Sequence, residues 1–202
     1  MQKNHFYSFL VTALIMTSNA LAQTNKPVVD YLKVPGPIVF ENKEFYLSWS
    51  SHPSADFYKH EYIAKADDAN QYKTMVLIDV VTGGVNIRNI VAAKVSELKT
   101  MKESNPVINY EIINNPATGE YLLDFLVTAN APDGSIKIAE RNVYRYKSFI
   151  DKTGRKGVVL FGISTRAYGA AVTSFFGVLK KTRKDLVNKL AKLKTPEITI
   201  LK

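Results

Sequence analysis

The sequence predicts an α+β fold, in which a mostly antiparallel sheet of about six to seven strands is covered by two helices as an α/β/α sandwich. Apolar residues alternate with period two through several short segments, which is typical of half-buried strands. Two longer segments repeat their apolar residues every three to four positions, as amphipathic helices do. Turns rich in Asn, Gly and Pro separate these segments. The predicted order is βββ-α-ββββ-α.

Three strands are expected before the first helix, at residues 45–50, 57–64 and 74–81. Period two in the first strand places Phe45, Leu47 and Trp49 on one face. The third strand contains MVLIDVV, which is apolar on both faces except at Asp79 and therefore predicts a central position. His60 and Glu61 point to opposite faces of the second strand, and we interpret them as an exposed polar pair.

The first helix is predicted at residues 86–104, where Ile87, Ile90, Val91, Val95, Leu98 and Met101 fall at helical spacing. The opposite side is expected to be basic, formed by Arg88, Lys94, Lys99 and Lys102. Pro106 marks the end of the helix, because the residue before a proline avoids helical geometry.

Four strands follow, at residues 107–113, 120–129, 136–149 and 158–163. Short links join the first three, which favours an antiparallel meander. The terminal helix is predicted over residues 167–193, with Ser164 or Thr165 as its N-terminal cap and lysines on its outer side. The segment EITIL at 197–201 is interpreted as a short final strand.

This order of elements over residues 38–194, with its terminal helix, resembles the PsbP-like α/β/α sandwich proteins. The resemblance is one of layout, without a shared motif. It implies an accessory or binding role, since members of that group mostly act in this way, and it assigns no residue.

The N-terminal 22 residues have the pattern of a secretory signal peptide. Lys3 precedes an apolar run from Phe6 to Met16, and the small-residue pattern Ala20-Leu21-Ala22 follows. The run is about half the length that a membrane-spanning helix needs. We therefore expect cleavage after Ala22, an extended lead-in at residues 23–37, a single domain at 38–202, no later membrane span, and a periplasmic or secreted location.

Charge is segregated along the chain. Residues 137–202 hold 16 Lys and Arg against 4 Asp and Glu, whereas residues 1–136 hold 11 against 14. Such an imbalance indicates an anionic partner, and the candidates are anionic lipid, polysaccharide or an acidic protein. Export and the absence of an RNA-binding signature argue against nucleic acid. The alternative is a solvated basic face that serves only solubility.

The stretch ERNVYRYKSF, residues 140–149, predicts which way the side chains of part of this basic region point. Period two places Tyr144 and Tyr146 on one face of the strand, towards a helix, and Arg141, Arg145 and Lys147 on the other, towards water or a partner. The predicted anion-binding residues are Arg141, Arg145, Lys147, Lys180, Lys181, Arg183 and Lys184. Glu140 and Asn142 interrupt the tyrosine face, which suggests a bulge or a polar network.

The sequence lacks the residues that metal binding and phosphate binding usually require. The chain has no Cys and 3 His, and it contains no zinc, calcium or phosphate-loop motif, so we predict no metal site and no cofactor. Two alternatives to a binding protein stay open. One is a small hydrolase that uses the strand carboxylates Asp79 and Asp124, if both lie in one cleft. The other is a structural subunit of a larger envelope complex.

Overall fold

The computed structural model describes residues 27–201. The strands are β1 (Ile38–Phe40), β2 (Lys43–Ser54), β3 (Phe57–Ile63), β4 (Thr74–Thr82), β5 (Asn109–Asn115), β6 (Glu120–Asn130), β7 (Ile136–Ile150) and β8 (Lys156–Tyr168). The helices are α1 (Ile87–Ser104) and α2 (Ala171–Lys192). The predicted signal peptide, residues 1–22, lies outside the described residues.

All eight strands form one antiparallel sheet in the order β1-β2-β3-β4-β8-β7-β6-β5. The α+β class, the two helices and the antiparallel meander of β5, β6 and β7 are confirmed. The predicted strand number of six to seven is wrong, because the three-residue β1 is too short to show a period. The sheet also curls into a half-barrel, which differs from the predicted α/β/α sandwich.

The two helices pack on opposite faces of this sheet. One core contains Val76, Ile78, Phe161 and Ile163 of the central strands together with Leu190 of α2. The other contains the alternate residues of the same strands, such as Leu77 and Leu160, together with α1. We call these the α2 face and the α1 face. Strands β4 and β8 are apolar on both faces because each face is covered.

Helix α1 begins and ends where the sequence predicts. Asn86 is its N-cap, and the side-chain oxygen accepts a hydrogen bond of 2.9 Å from the backbone N–H of Asn89. The expected basic side is wrong at Lys94, which is buried, donates to Glu97 at 2.9 Å and lies over the ring of Phe125. A lysine stem can pack on apolar surface in this way while its ammonium keeps a partner.

Helix α2 starts four residues later than expected, because β8 continues through Tyr168. Ser164 is therefore inside a strand, and its hydroxyl donates to Asn142. The prediction that Ser164 or Thr165 caps the helix is wrong, and the first residue before α2, Ala170, makes no side-chain cap.

The lead-in and the C-terminal segment pack together on the α2 face. Leu32 and Val34 are buried there, and backbone hydrogen bonds join Thr199 to Leu32 and Leu201 to Tyr31. This pairing replaces the expected final strand. Buried His60 binds the lead-in to β3, because its Nε2 accepts a hydrogen bond of 3.1 Å from the backbone N–H of Tyr31. The prediction that His60 is exposed is wrong.

A bulge in β2 reverses the expected face of one residue. Leu47 pairs with Tyr62 but Trp49 pairs with Glu61, so Ser48 is an extra residue in β2. Phe45 and Leu47 consequently face the α2 side, whereas Trp49 turns to the α1 face. The sequence prediction that all three share a face is wrong, because period two holds only while the register is unbroken.

Candidate functional site

The predicted basic row on β7 does not face water. Arg141 and Arg145 are 4% and 5% exposed, and both lie beneath α2. The alternation itself is correct, because Tyr144 and Tyr146 pack on the α1 face. The prediction that the arginine face meets water is wrong, because helix α2 covers that face. Only Lys147, beyond the end of the helix, is exposed, and its Nζ lies 3.7 Å from Glu120.

Arg141 belongs to a buried ion cluster centred on Asp124. Its Nε and Nη2 donate to the two carboxylate oxygens of Asp124 at 3.0 and 3.2 Å. Arg183 of α2 donates to the same carboxylate at 3.0 Å and reaches Glu111 of β5 at 3.2 Å. The carboxylate therefore joins two arginines, and removing the carboxylate would leave the buried guanidinium of Arg141 without its charge partner.

Arg145 closes the C-terminal end of α2. Its Nη1 donates to the carbonyls of Leu190, Ala191 and Leu193 at 2.9, 3.0 and 2.8 Å, and its Nη2 donates to Thr195 at 2.7 Å. The last carbonyls of a helix lack partners within the helix and carry its negative dipole end. A guanidinium satisfies both requirements, so Arg145 is a structural anchor of α2.

The outer side of α2 keeps the remaining predicted cations. Lys180, Lys181 and Lys184 are exposed, and within residues 27–201 none of them forms an ion pair. Val178, one turn from Lys181, is 58% exposed. We call Val178, Lys180, Lys181 and Lys184 the α2 outer surface. It combines three lysines with an exposed apolar side chain, and the exposed carboxylate of Asp185 lies beside them, four residues after Lys181.

The two strand carboxylates lie on opposite faces of the sheet. Asp124 is on the α2 face with Leu122, whereas Asp79 is on the α1 face, where its Oδ2 lies 3.8 Å from Nζ of Lys59. Both are buried and ion-paired. The proposed hydrolase site needed both carboxylates in one cleft, so this geometry removes it.

A buried polar network explains the interruption of the tyrosine face of β7. Glu140 accepts from Tyr72 at 2.8 Å and from Asn142 at 2.9 Å, and it pairs with Arg166. Ser164 donates to Asn142 in turn. Of the two expected explanations, the polar network is correct. The network connects residues 64–73 to β7 and β8. Its side chains form these hydrogen bonds with one another.

A second group on the α1 face was missed by the sequence reasoning. Trp49 is 41% exposed and lies directly across from Glu61, next to the Lys59–Asp79 pair. Burial raises the pKa of Glu61 to about 7. Within residues 27–201 the Glu61 carboxyl has no hydrogen bond and no ion pair. No period or motif indicates this group, because it depends on the bulge at Ser48.

In the part of the chain that the structure describes, neither helix is both long enough and apolar enough to span a membrane. The same residues bring no three His, Asp or Glu side chains together as a metal site.

A protein-family model matches residues 32–195, which is most of the chain, and the chain therefore belongs to that uncharacterised family. No curated protein and no solved structure matches the sequence. The family match begins at Leu32, so it includes the part of the lead-in that is buried in the core.

Replacing Arg145 by Met tests its anchoring role. Methionine keeps the apolar stem but leaves the carbonyls at the end of α2 without their donor. We expect the free energy of unfolding in urea to fall by about 2–4 kcal/mol. The control is Lys184→Met on the exposed side of the same helix, where we expect a change within about 0.5 kcal/mol. Equal effects of the two substitutions would contradict the anchoring role.

The pH dependence of stability tests the environment of Glu61. Its folded pKa of about 7 lies above its ordinary value of 4.5, so between these values the folded state binds more protons than the unfolded state. The stability contribution of Glu61 therefore falls as pH rises from 4.5 to 7. We expect Glu61→Gln to raise the unfolding free energy at pH 8 and to leave it nearly unchanged at pH 4.5. The same effect at both pH values would show that Glu61 does not titrate in this way.

Proposed function

We propose that this chain is an exported, non-enzymatic binding protein of the cell envelope, which attaches to anionic membrane surface through the α2 outer surface. The observation that carries the proposal is the separation of the basic residues into two sets. Arg141 and Arg145 are buried as anchors of α2, whereas Lys180, Lys181 and Lys184 are exposed and unpaired among the described residues. The signal-peptide pattern of residues 1–22 supports export to a periplasmic or extracellular location.

Phospholipid headgroups fit the α2 outer surface better than a soluble polyanion does. The lysines supply long-range attraction to phosphate, which raises the rate and affinity of association and is screened by salt. Val178 adds an apolar side chain that a headgroup region can accept but that a hydrated polysaccharide would leave in water. A surface with few lysines binds weakly, at about 1 kcal/mol for each one near an anionic bilayer.

The anchors below the helix make this mode of binding possible. Because Asp124 and the end of α2 are already bound by Arg141, Arg183 and Arg145, the helix presents its lysines on a fixed support. A pre-organised surface loses less conformational entropy when it binds. The layout resemblance to PsbP-like proteins also favours an accessory role, and it remains a prediction.

Charge reversal on α2 tests the proposal. We expect the mature chain to co-sediment with vesicles that contain phosphatidylglycerol and not with pure phosphatidylcholine vesicles. The triple variant Lys180→Glu, Lys181→Glu, Lys184→Glu should lose at least about tenfold in partitioning at low salt, because three attractions become repulsions. Raising the salt concentration should weaken the wild-type chain and leave the variant at its low level.

The matched control is Arg88→Glu, Lys99→Glu, Lys102→Glu on the exposed side of α1, which makes the same change in net charge. Retention of binding by this control would localise the interaction to α2. Equal loss in both triple variants would show that only net charge matters and would contradict the proposal. Salt-sensitive binding to heparin or to an acidic protein, without binding to anionic vesicles, would contradict membrane attachment and would identify that molecule as the partner.

A further inference from the structure

Trp49 is held in an exposed position by the backbone of β2. The bulge at Ser48 turns Trp49 away from the α2-face core, and the Ser48 hydroxyl donates to the carbonyl of Glu61 at 3.1 Å. Bulges commonly re-aim a side chain next to a functional site. Without this extra residue, the indole would point into the face that the lead-in and α2 cover, so the bulge keeps the indole accessible.

The neighbours of Trp49 are charged groups of both signs. The Glu61 carboxylate makes no hydrogen bond to residues 27–201 and is in reach of solvent, whereas Oδ1 of Asp79 is fully buried without a hydrogen-bond partner there. The Lys59 ammonium lies 3.8 Å from the other Asp79 oxygen, and Lys94 and Arg166 add positive charge near Asp79 and Glu61 respectively. The Glu61 carboxylate is therefore free to accept hydrogen bonds from a ligand that donates them.

This part of the sheet is also open. Helix α1 packs mainly over β5, β6 and β7, and its core extends to Ile63 at the end of β3. Within residues 27–201, the stretch of this face around Trp49 and Lys59 has no helix packed closely against it. Glu61 and Lys59 of β3 are partly exposed there, and Trp49 lies beside them on the neighbouring strand β2. A ligand can therefore reach the indole and the two charged groups from one direction.

We propose that Trp49, Glu61 and Lys59 form a binding site for a neutral saccharide. A sugar ring offers a weakly polar C–H face that packs on the exposed indole, and its hydroxyls donate to the Glu61 carboxyl and accept from the Lys59 ammonium. Asp79 acts as a positioning residue, because its ion pair holds Lys59 in place. No covalent step is involved.

The charge of the group selects a neutral ligand. A cation would gain from Trp49 and Glu61 but would meet the ammonium of Lys59. An anion would meet Glu61 and Asp79. A polyhydroxylated neutral molecule satisfies the acceptors and the donor without a net electrostatic cost.

This site is independent of the proposed membrane attachment. It lies on the α1 face, whereas the α2 outer surface is on the other side of the sheet. Saccharide binding should depend little on salt because the ligand is neutral, whereas vesicle binding should be salt-sensitive. Each proposal can therefore fail without the other.

Intrinsic fluorescence is a direct test, because Trp49 is the only Trp in the chain. We expect the emission of the mature protein to change saturably on titration with at least one of cellotetraose, maltotetraose and the N-acetylglucosamine tetramer, with a Kd of about 1 mM or below. Glycerol at equal hydroxyl concentration should leave the spectrum unchanged. Calorimetry with the active sugar provides a readout that does not need the indole.

Variants locate the interaction on the proposed residues. Glu61→Gln and Trp49→Ala should each weaken the sugar affinity at least about tenfold. The matched controls are Glu103→Gln, an exposed carboxyl on α1, and Ile112→Ala, an exposed apolar residue on the same sheet face, and both should bind as the unaltered chain does. If Trp49→Ala does not fold, Trp49→Tyr, which keeps an aromatic face, should bind with reduced affinity.

Three outcomes would overturn the proposal. The first is no saturable fluorescence or heat change with any of the three sugars. The second is binding that Glu61→Gln leaves unaltered, since the carboxyl would then take no part. The third is saturable binding of choline in place of the sugars, which would make the site a cation site.

Discussion

The carboxylate of Asp124 is the interaction on which the arrangement of α2 depends. It is buried in β6, and it accepts hydrogen bonds from Arg141 of the neighbouring strand and from Arg183 of the helix. A buried carboxylate is tolerated only when its charge is compensated and its oxygens are hydrogen-bonded. Here the compensation comes from two elements at once, so the same contacts that satisfy Asp124 also fix the rotation of α2 about its axis. Arg145 then fixes the position of the helix end through three carbonyls.

This anchoring determines what the two sides of the sheet can do. On the α2 face Arg141 and Arg145 are buried and Arg183 is paired with Asp124 and Glu111, whereas Lys180, Lys181 and Lys184 of the helix are exposed. On the α1 face the helix packs mainly over β5, β6 and β7, and Lys59 and Glu61 of β3 are partly exposed. Charge and shape thus separate into a basic convex helix surface and an open, mixed-charge sheet surface. We propose a phosphate-rich bilayer as the partner of the first surface and a neutral hydrogen-bonding ligand for the second.

Much of the fold follows from the sequence because it depends on local periodicity. The bounds of α1, the meander of β5 to β7 and the opposite orientation of Tyr144 and Arg145 all come from the spacing of apolar residues. The candidate sites do not, because they depend on register and on what covers each face. Alternation shows that Arg141 and Arg145 share a face, but only the position of α2 shows that this face is buried. One extra residue at Ser48 moves Trp49 across the sheet, and no composition or period signals it. The sequence also does not show whether Asp79 and Asp124 lie on the same face. Their opposite faces become visible only from the pairing of the strands.

The central claim is that the basic residues divide into buried anchors and exposed, unpaired lysines. Covalent labelling with peptide mass spectrometry tests it most directly, using an N-hydroxysuccinimide ester for lysine and phenylglyoxal for arginine on the same folded sample. Our account predicts rapid modification of Lys180, Lys181 and Lys184, and protection of Arg141 and Arg145 until the protein is unfolded in denaturant. Modification of the two arginines in the folded protein, at the rate of the exposed Arg88, would contradict it.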